Sequence, residues 1–182
     1  MARAIQKFSV KESVNLSLKR VIKVQPTFTA DDNDDNHVAF GWTEIPGAFS
    51  GQGVAATLNS IFVLNGMNRQ DVIELVFCGG SSDSGTAPTV AQILGVGSAV
   101  VDITQAETQE VGICGHVNIV AGDYVEGNLL TAVMAQKTGI GLVMSQKAES
   151  TSLYVGGIWR YDPADNTSLG TNLMDIYFGF EG

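Results

Sequence analysis

The stretch NLMDIYFGF, residues 172–180, decides the fold class. In an extended chain Met174, Ile176, Phe178 and Phe180 fall on one side, and Leu173, Asp175, Tyr177 and Gly179 on the other. That period of two is the signature of a strand with one buried face, and it predicts a closing strand inserted in a sheet. Working outward, VIELVF (72–77) is apolar on both sides except at Glu74. An inner strand of this kind meets the core with one face and a loop or another protein surface with the other. Near the start, SVNLSLKRVIKV (13–24) places Val14, Leu16, Leu18, Ile22 and Val24 on one face, interrupted by Arg20, with Asn15, Ser17, Lys19 and Lys23 opposite. Further strands are expected at 37–42, where Val38, Phe40 and Trp42 share a side, and at 57–64, 99–103, 111–120, 129–135, 139–145 and 151–161. A helical turn fits 89–94, where Thr89 can cap and Val90, Ile93 and Leu94 recur at helical spacing.

Short strands with little helix must hide their apolar faces against another layer. The expected fold is therefore all-β, a jelly-roll-like two-sheet sandwich with a short helical turn. Residues 25–182 read as one β-rich body, and residues 1–24 as a basic leader carrying the first strand. Fixed-period repeats and a proline-rich linker are both missing from the sequence.

Composition agrees with this reading. Valine, isoleucine and threonine number 20, 12 and 13 among 182 residues, and 21 glycines against 4 prolines suit many turns. With 45% hydrophobic and 16% charged residues the chain is neither disordered nor a charged helical repeat. The net charge of −9 argues against direct nucleic-acid binding by the whole chain. Charge is polarised: the first 30 residues hold six bases and one acid, the remainder four bases and eighteen acids. Such a leader can dock on its own domain, on a neighbouring copy or on an acidic partner, or lie in solvent. The opening MARAIQKFSVKES has no apolar signal core and no later segment suits a membrane span, so no membrane partner is expected.

Enzyme chemistry is not legible. The serine-rich run 80–85 lacks the glycines of a nucleophile elbow, and GGSSDSG lacks a P-loop lysine. Asp31, Asn33 and Asp35 have the opening spacing of a calcium loop, but Asn36 and Trp42 stand where the bend glycine and final acid belong. His37 and His116 form no metal motif, and Cys78 and Cys114 are too few for a disulfide scaffold. Cys114 and His116 are expected on one strand face, without a third member of a relay. Asp162, Asp165 and Asn166 read as turn formers beside Pro163. Trp42, Tyr124, Tyr154, Trp159, Tyr161 and Tyr177 suit core or subunit packing, or a sugar platform. No catalytic, cofactor-binding or metal-ligating residue is assigned.

From about residue 57 onward, the ordered succession IFVLNGMNRQDVIELVFC, AQILGVG, IVAGDYVE, TGIGLVMS, TSLYVGGI and LMDIYFGF resembles the capsid decoration, or cement, proteins of tailed bacteriophages. The resemblance covers roughly two thirds of the chain; none of its pieces is a chemical motif. It implies a non-enzymatic virion protein on the outer capsid surface, assembled in the host cytoplasm, with the major capsid protein as partner and a homo-oligomeric, trimeric state. A phage tail-associated module, or a receptor- or carbohydrate-binding one, is the alternative. The expected contact surface joins Val72, Glu74, Val76, Tyr154 and Trp159, with Arg3, Lys7 and Lys11 of the leader reaching an acidic lattice groove.

Overall fold

The computed structural model describes residues 19–28, 37–51, 54–66, 70–79, 112–125, 132–145, 153–160 and 174–182. They form nine strands: β1 (Lys19–Val24), β2 (Val38–Ile45), β3 (Ala55–Asn65), β4 (Ile73–Cys78), β5 (Ile113–Ile119), β6 (Tyr124–Val125), β7 (Val133–Ser145), β8 (Leu153–Trp159) and β9 (Met174–Glu181). Two antiparallel sheets result, ordered β1-β9-β3-β7-β6 and β2-β8-β4-β5. The pairings β1 with β9, β2 with β8, β3 with β7 and β4 with β5 are nested, as in one long hairpin whose successive rungs alternate between two sheets. That is the jelly-roll-like sandwich expected from the alternation. The described helical turn is a 3-10 turn at Ala121–Asp123, in a stretch read as loop; residues 89–94 lie outside the described residues, as do 99–103.

The core lies between the sheets. In β9 burial alternates through all eight residues, with Met174, Ile176, Phe178 and Phe180 inside. From the facing sheet come Ile73, Leu75 and Phe77 of β4 and Leu153, Val155 and Trp159 of β8. Across the layers Phe77 meets Phe178 edge-on at 5.7 Å, and on the four-stranded side Phe28 is edge-on to Phe40 at 5.3 Å and stacked on Trp159 at 5.8 Å.

Bulges correct three expectations. Val38, Phe40 and Trp42 do not share a side, because register shifts in the β2–β8 pairing turn Phe40 into the core while Val38 and Trp42 pack on the outer face. An extra residue inserted in one strand reverses which side every later residue faces. The end of the piece read at 129–135, from Val133, is joined to the piece read at 139–145 in one 13-residue strand, β7, while 129–131 lie outside the described residues. Its Gly139 and Gly141 take φ of 68° and 66°, where only glycine is unstrained, and the β3–β7 register shifts there. Cys114, expected beside His116, is turned onto the interior cluster by a shift between the pairs Phe77–Gly115 and Cys78–Ile113.

Polar groups fasten the ends. Arg20, the interruption on the apolar face of β1, donates from Nη1 to Gly47 O at 2.8 Å and from Nη2 to Ala48 O at 3.0 Å. Asn65 Nδ2 donates to Asp71 Oδ2 and Tyr124 Oη to Asp71 O, both at 2.8 Å, tying the β3–β4 connection to β6. Val24, Ile22 and their neighbours pair in register with β9, so the first strand is part of the five-stranded sheet; residues 1–18, including Arg3, Lys7 and Lys11, lie outside the described residues.

Candidate functional site

All six residues of β4 and all seven of β8 are buried, although the interior takes only alternate side chains from each. The others, Val76 and Cys78 of β4 with Tyr154 and Ile158 of β8, join Val38 in a second apolar cluster on the outer face, edged by Trp42 and Ile113. Burial first, then the neighbouring Glu44 and Cys78, push the Tyr154 hydroxyl pKa above its ordinary value.

Two carboxylates share this face: Glu44 at its edge, opposite Tyr154, and Glu74 within it. Glu74 pairs directly with Asn118 of β5 and Ile158 of β8, neither of which can neutralise a carboxylate. Its side-chain partners are the diagonal neighbours: His116, opposite Val76, and Arg160, whose backbone N–H extends the ladder by donating to Val72 O at 3.1 Å. Diagonal positions are within reach of long side chains. His116 Nδ1 lies 2.6 Å from Glu74 Oε1, and facing a carboxylate that nitrogen must carry a proton and donate. Arg160 donates from Nε to Oε2 at 2.5 Å and brings Nη2 onto the same oxygen. The Glu74 side chain is 11% exposed, against 64% for His116 and 37% for Arg160. A largely buried anion is thus held by one permanent cation and one imidazole whose outer edge faces solvent.

Beside this cluster opens a groove of about 300 Å³ lined by Val76, Ile113, Gly115 and Ile158 together with Glu74, His116 and Arg160. Among the described residues its lining includes no serine, threonine, cysteine, lysine or tyrosine. Cys78 is fully buried, and burial pushes the Cys114 thiol up to about 12, opposing thiolate formation at neutral pH. What the groove offers is an apolar floor beside a satisfied ion cluster, suited to holding a complementary surface. Among the described residues no group of three or more His, Cys, Asp or Glu is placed to hold a metal, and no helix is long and apolar enough to cross a membrane.

The residues expected to form a contact surface are divided by the fold. Glu74, Val76 and Tyr154 share the outer face, and Val72 continues their parity one step before β4. Trp159 does not join them: its ring is fully buried between the sheets against Phe28, so that member of the expected surface is corrected to a core residue. The aromatics considered as a platform are likewise dispersed, with Tyr124 in the core, Trp42 and Tyr154 on this face, Tyr177 on the far sheet and Tyr161 outside the described residues. The loop with Asp31, Asn33 and Asp35, the run 80–85 and the Asp162–Asp165 turn also lie outside them. His116 and Arg160 were missed as partners of Glu74. They are 42 and 86 residues away in sequence, and only the register of β4 with its two neighbours brings them together.

The fold and this face define an antiparallel two-sheet sandwich with an outward-facing groove. No family model and no curated protein matches the chain. Among solved structures, a chain from Desmodium yellow mottle tymovirus aligns with all of this chain and 90% of its own length, at 12% identity and a TM-score of 0.27. A score at that level establishes neither a common fold nor a common role, and the sandwich rests on its own strand pairing.

Proposed function

We propose that this chain is a non-enzymatic virion structural protein that decorates and stabilises an icosahedral capsid. In this reading it binds the outer surface of the major capsid protein lattice as a symmetric homo-oligomer, a trimer if the family resemblance carries over. The observation that carries the proposal is the outer face of the four-stranded sheet, where an apolar groove adjoins a charge cluster that is already neutralised within the chain. Such a surface buries no unpaired carboxylate, since Glu74 keeps its partners within the chain, and a partner seated on it adds apolar contact at the half-exposed Ile113. The succession of segments resembling decoration proteins supports the same role. Binding only to assembled shells would stabilise them by mass action, and several copies joined together would make a weak single contact effective. Val72, Glu74, Val76 and Tyr154 form the shell contact, and Arg3, Lys7 and Lys11 supply attraction to an acidic groove.

The test is imaging of intact particles carrying a labelled chain, paired with particle binding by Val76→Asp and His116→Ala variants. Label spread over the capsid faces, with at least tenfold weaker binding by Val76→Asp, is the expected result. Label confined to the tail would replace this reading with the tail-module one. Because β1 is paired to β9, a leader truncation must stop at residue 18. Its binding should lose salt sensitivity relative to the full chain.

A further inference from the structure

We propose that the outer face of the five-stranded sheet is a two-fold contact between two copies of this chain. This goes beyond the capsid reading and does not depend on it, since it concerns the chain alone in solution.

At the centre of that face Phe62 of β3 and Tyr177 of β9 lie in register, half-buried, with ring centroids 5.6 Å apart. Lys23 of β1 stands 5.8 Å from the Tyr177 ring in the same row. Exposed valines lie further along the same face: Val21, in register with Gly179, is 74% exposed, and Val143, in register with Thr57, is 65%. The arrangement is an aromatic centre inside a polar rim, which is the anatomy of a protein contact.

The geometry is self-complementary. A two-fold axis running along the strands between β9 and β3 lays β9 of one copy over β3 of its mate, and β1 over β7. Tyr177 then meets the mate's Phe62 and the reverse, making a four-ring cluster. By the same registers Lys19 lies over the mate's Val143, where its aliphatic stem can pack, and Val21 over Thr138. No like charges are superposed. Among the described residues the face carries two lysines, Lys19 and Lys23, and two acids, Asp175 and Glu181, paired across β1 and β9 at 4.0 and 2.9 Å. In a chain of net charge −9, a balanced face is where a like-charged copy can approach without net repulsion.

The area sets the strength. Four overlapping strands about 4.8 Å apart and about seven residues long give a flat footprint of about 450 Å² per copy. That is below the roughly 800 Å² per partner of a standard stable complex, so the pair is weak and concentration-dependent.

Sedimentation equilibrium of the full chain between about 1 and 200 μM tests this. A reversible monomer–dimer equilibrium is expected, weakened at least tenfold by Tyr177→Glu and by the uncharged Tyr177→Thr, and unchanged by Val125→Asp, which lies on β6 outside the overlap. Circular dichroism confirms that each variant is folded, and Tyr177→Thr serves if the charged variant is not. A chain that stays monomeric at 200 μM overturns the proposal. So does an oligomer of any size that neither Tyr177 variant weakens.

Discussion

Replacing Gly157 by alanine would place a methyl carbon 2.3 Å from Phe40 Cε1, 2.6 Å from its Cδ1 and 3.0 Å from Ile73 Cδ1. Carbon atoms rest about 3.5–4.0 Å apart, so roughly 1.2 Å or more of clearance must be found. Phe40 cannot easily supply it. The ring is fully buried, faces Gly157 across the β2–β8 ladder, and sits edge-on to Phe28, which stacks in turn on Trp159. Overpacking of this kind costs about 1–3 kcal/mol, and disturbing the aromatic pair adds about 0.5–1.5 kcal/mol. The expected loss is about 2–4 kcal/mol, which at this chain length lowers Tm by roughly 5–15 °C. Urea unfolding should show a lower midpoint at unchanged m value. Phe40→Leu should relieve the clash, so the double variant should be more stable than the sum of the two losses by at least about 1 kcal/mol. Gly122→Ala, whose added methyl meets nothing within 4 Å, is the control. The reasoning is refuted if Gly157→Ala unfolds within about 0.5 kcal/mol of the parent, or if its cost adds to that of Phe40→Leu.

Arg160→Met should cost about 1–2 kcal/mol, a figure reduced for the partial exposure of the guanidinium, because it strips Glu74 of its permanent cation. Adding Glu74→Leu should recover most of that loss in the same urea titration, since the stranded carboxylate is then gone. Arg20→Met should cost about 1–2 kcal/mol by releasing the carbonyls of Gly47 and Ala48, even though it completes the apolar face of β1; thermal unfolding against the parent measures this. The Cys114 thiol is held protonated in the fold up to about 12, against 9.0 when unfolded. Its contribution is full below pH 9 and is lost as pH rises toward 12, because the unfolded chain releases the proton first. The loss amounts to at most about 4 kcal/mol. Stability measured from pH 8 to 11 should therefore fall more steeply for the parent than for Cys114→Ala, and equal slopes would defeat the argument.

Alternation made the sandwich legible wherever the ladder is regular. In β9 the sequence period of two and the burial pattern coincide along the whole strand. It failed at bulges, since a register shift is set by what the partner strand offers. Phe40 turns inward because Gly157 opposite it leaves space for a ring, and nothing near Phe40 in sequence announces that glycine. Gly139 and Gly141 did mark a break in the pattern, but they bend β7 and do not end it. The candidate site was half legible. Glu74 stood out as the one charge in an apolar run, and that run correctly implied a second buried face. Trp159 was misplaced because VGGIWR gives no period with which to sort its faces, while Arg160, next in the chain, proved to be the residue that reaches Glu74.

A sandwich needs one apolar face per sheet, and the packing between β4, β8 and the five-stranded sheet already provides both. Apolar side chains beyond that requirement therefore call for a separate cause, and here both outer faces have them. They differ in kind. The four-stranded sheet concentrates its apolar groups around one neutralised carboxylate, which suits a surface of different shape and chemistry seated against a fixed charge cluster. The five-stranded sheet spreads an aromatic pair and exposed valines across registers that two-fold rotation maps onto acceptable neighbours, with charges in balanced pairs. The first pattern fits a heterologous contact and the second an isologous one. Because the faces point in opposite directions, a copy can use both at once. A weak pair formed through one face would then double the number of shell contacts made through the other, which is how a footprint of about 450 Å² can matter on a lattice though it is small for a free dimer.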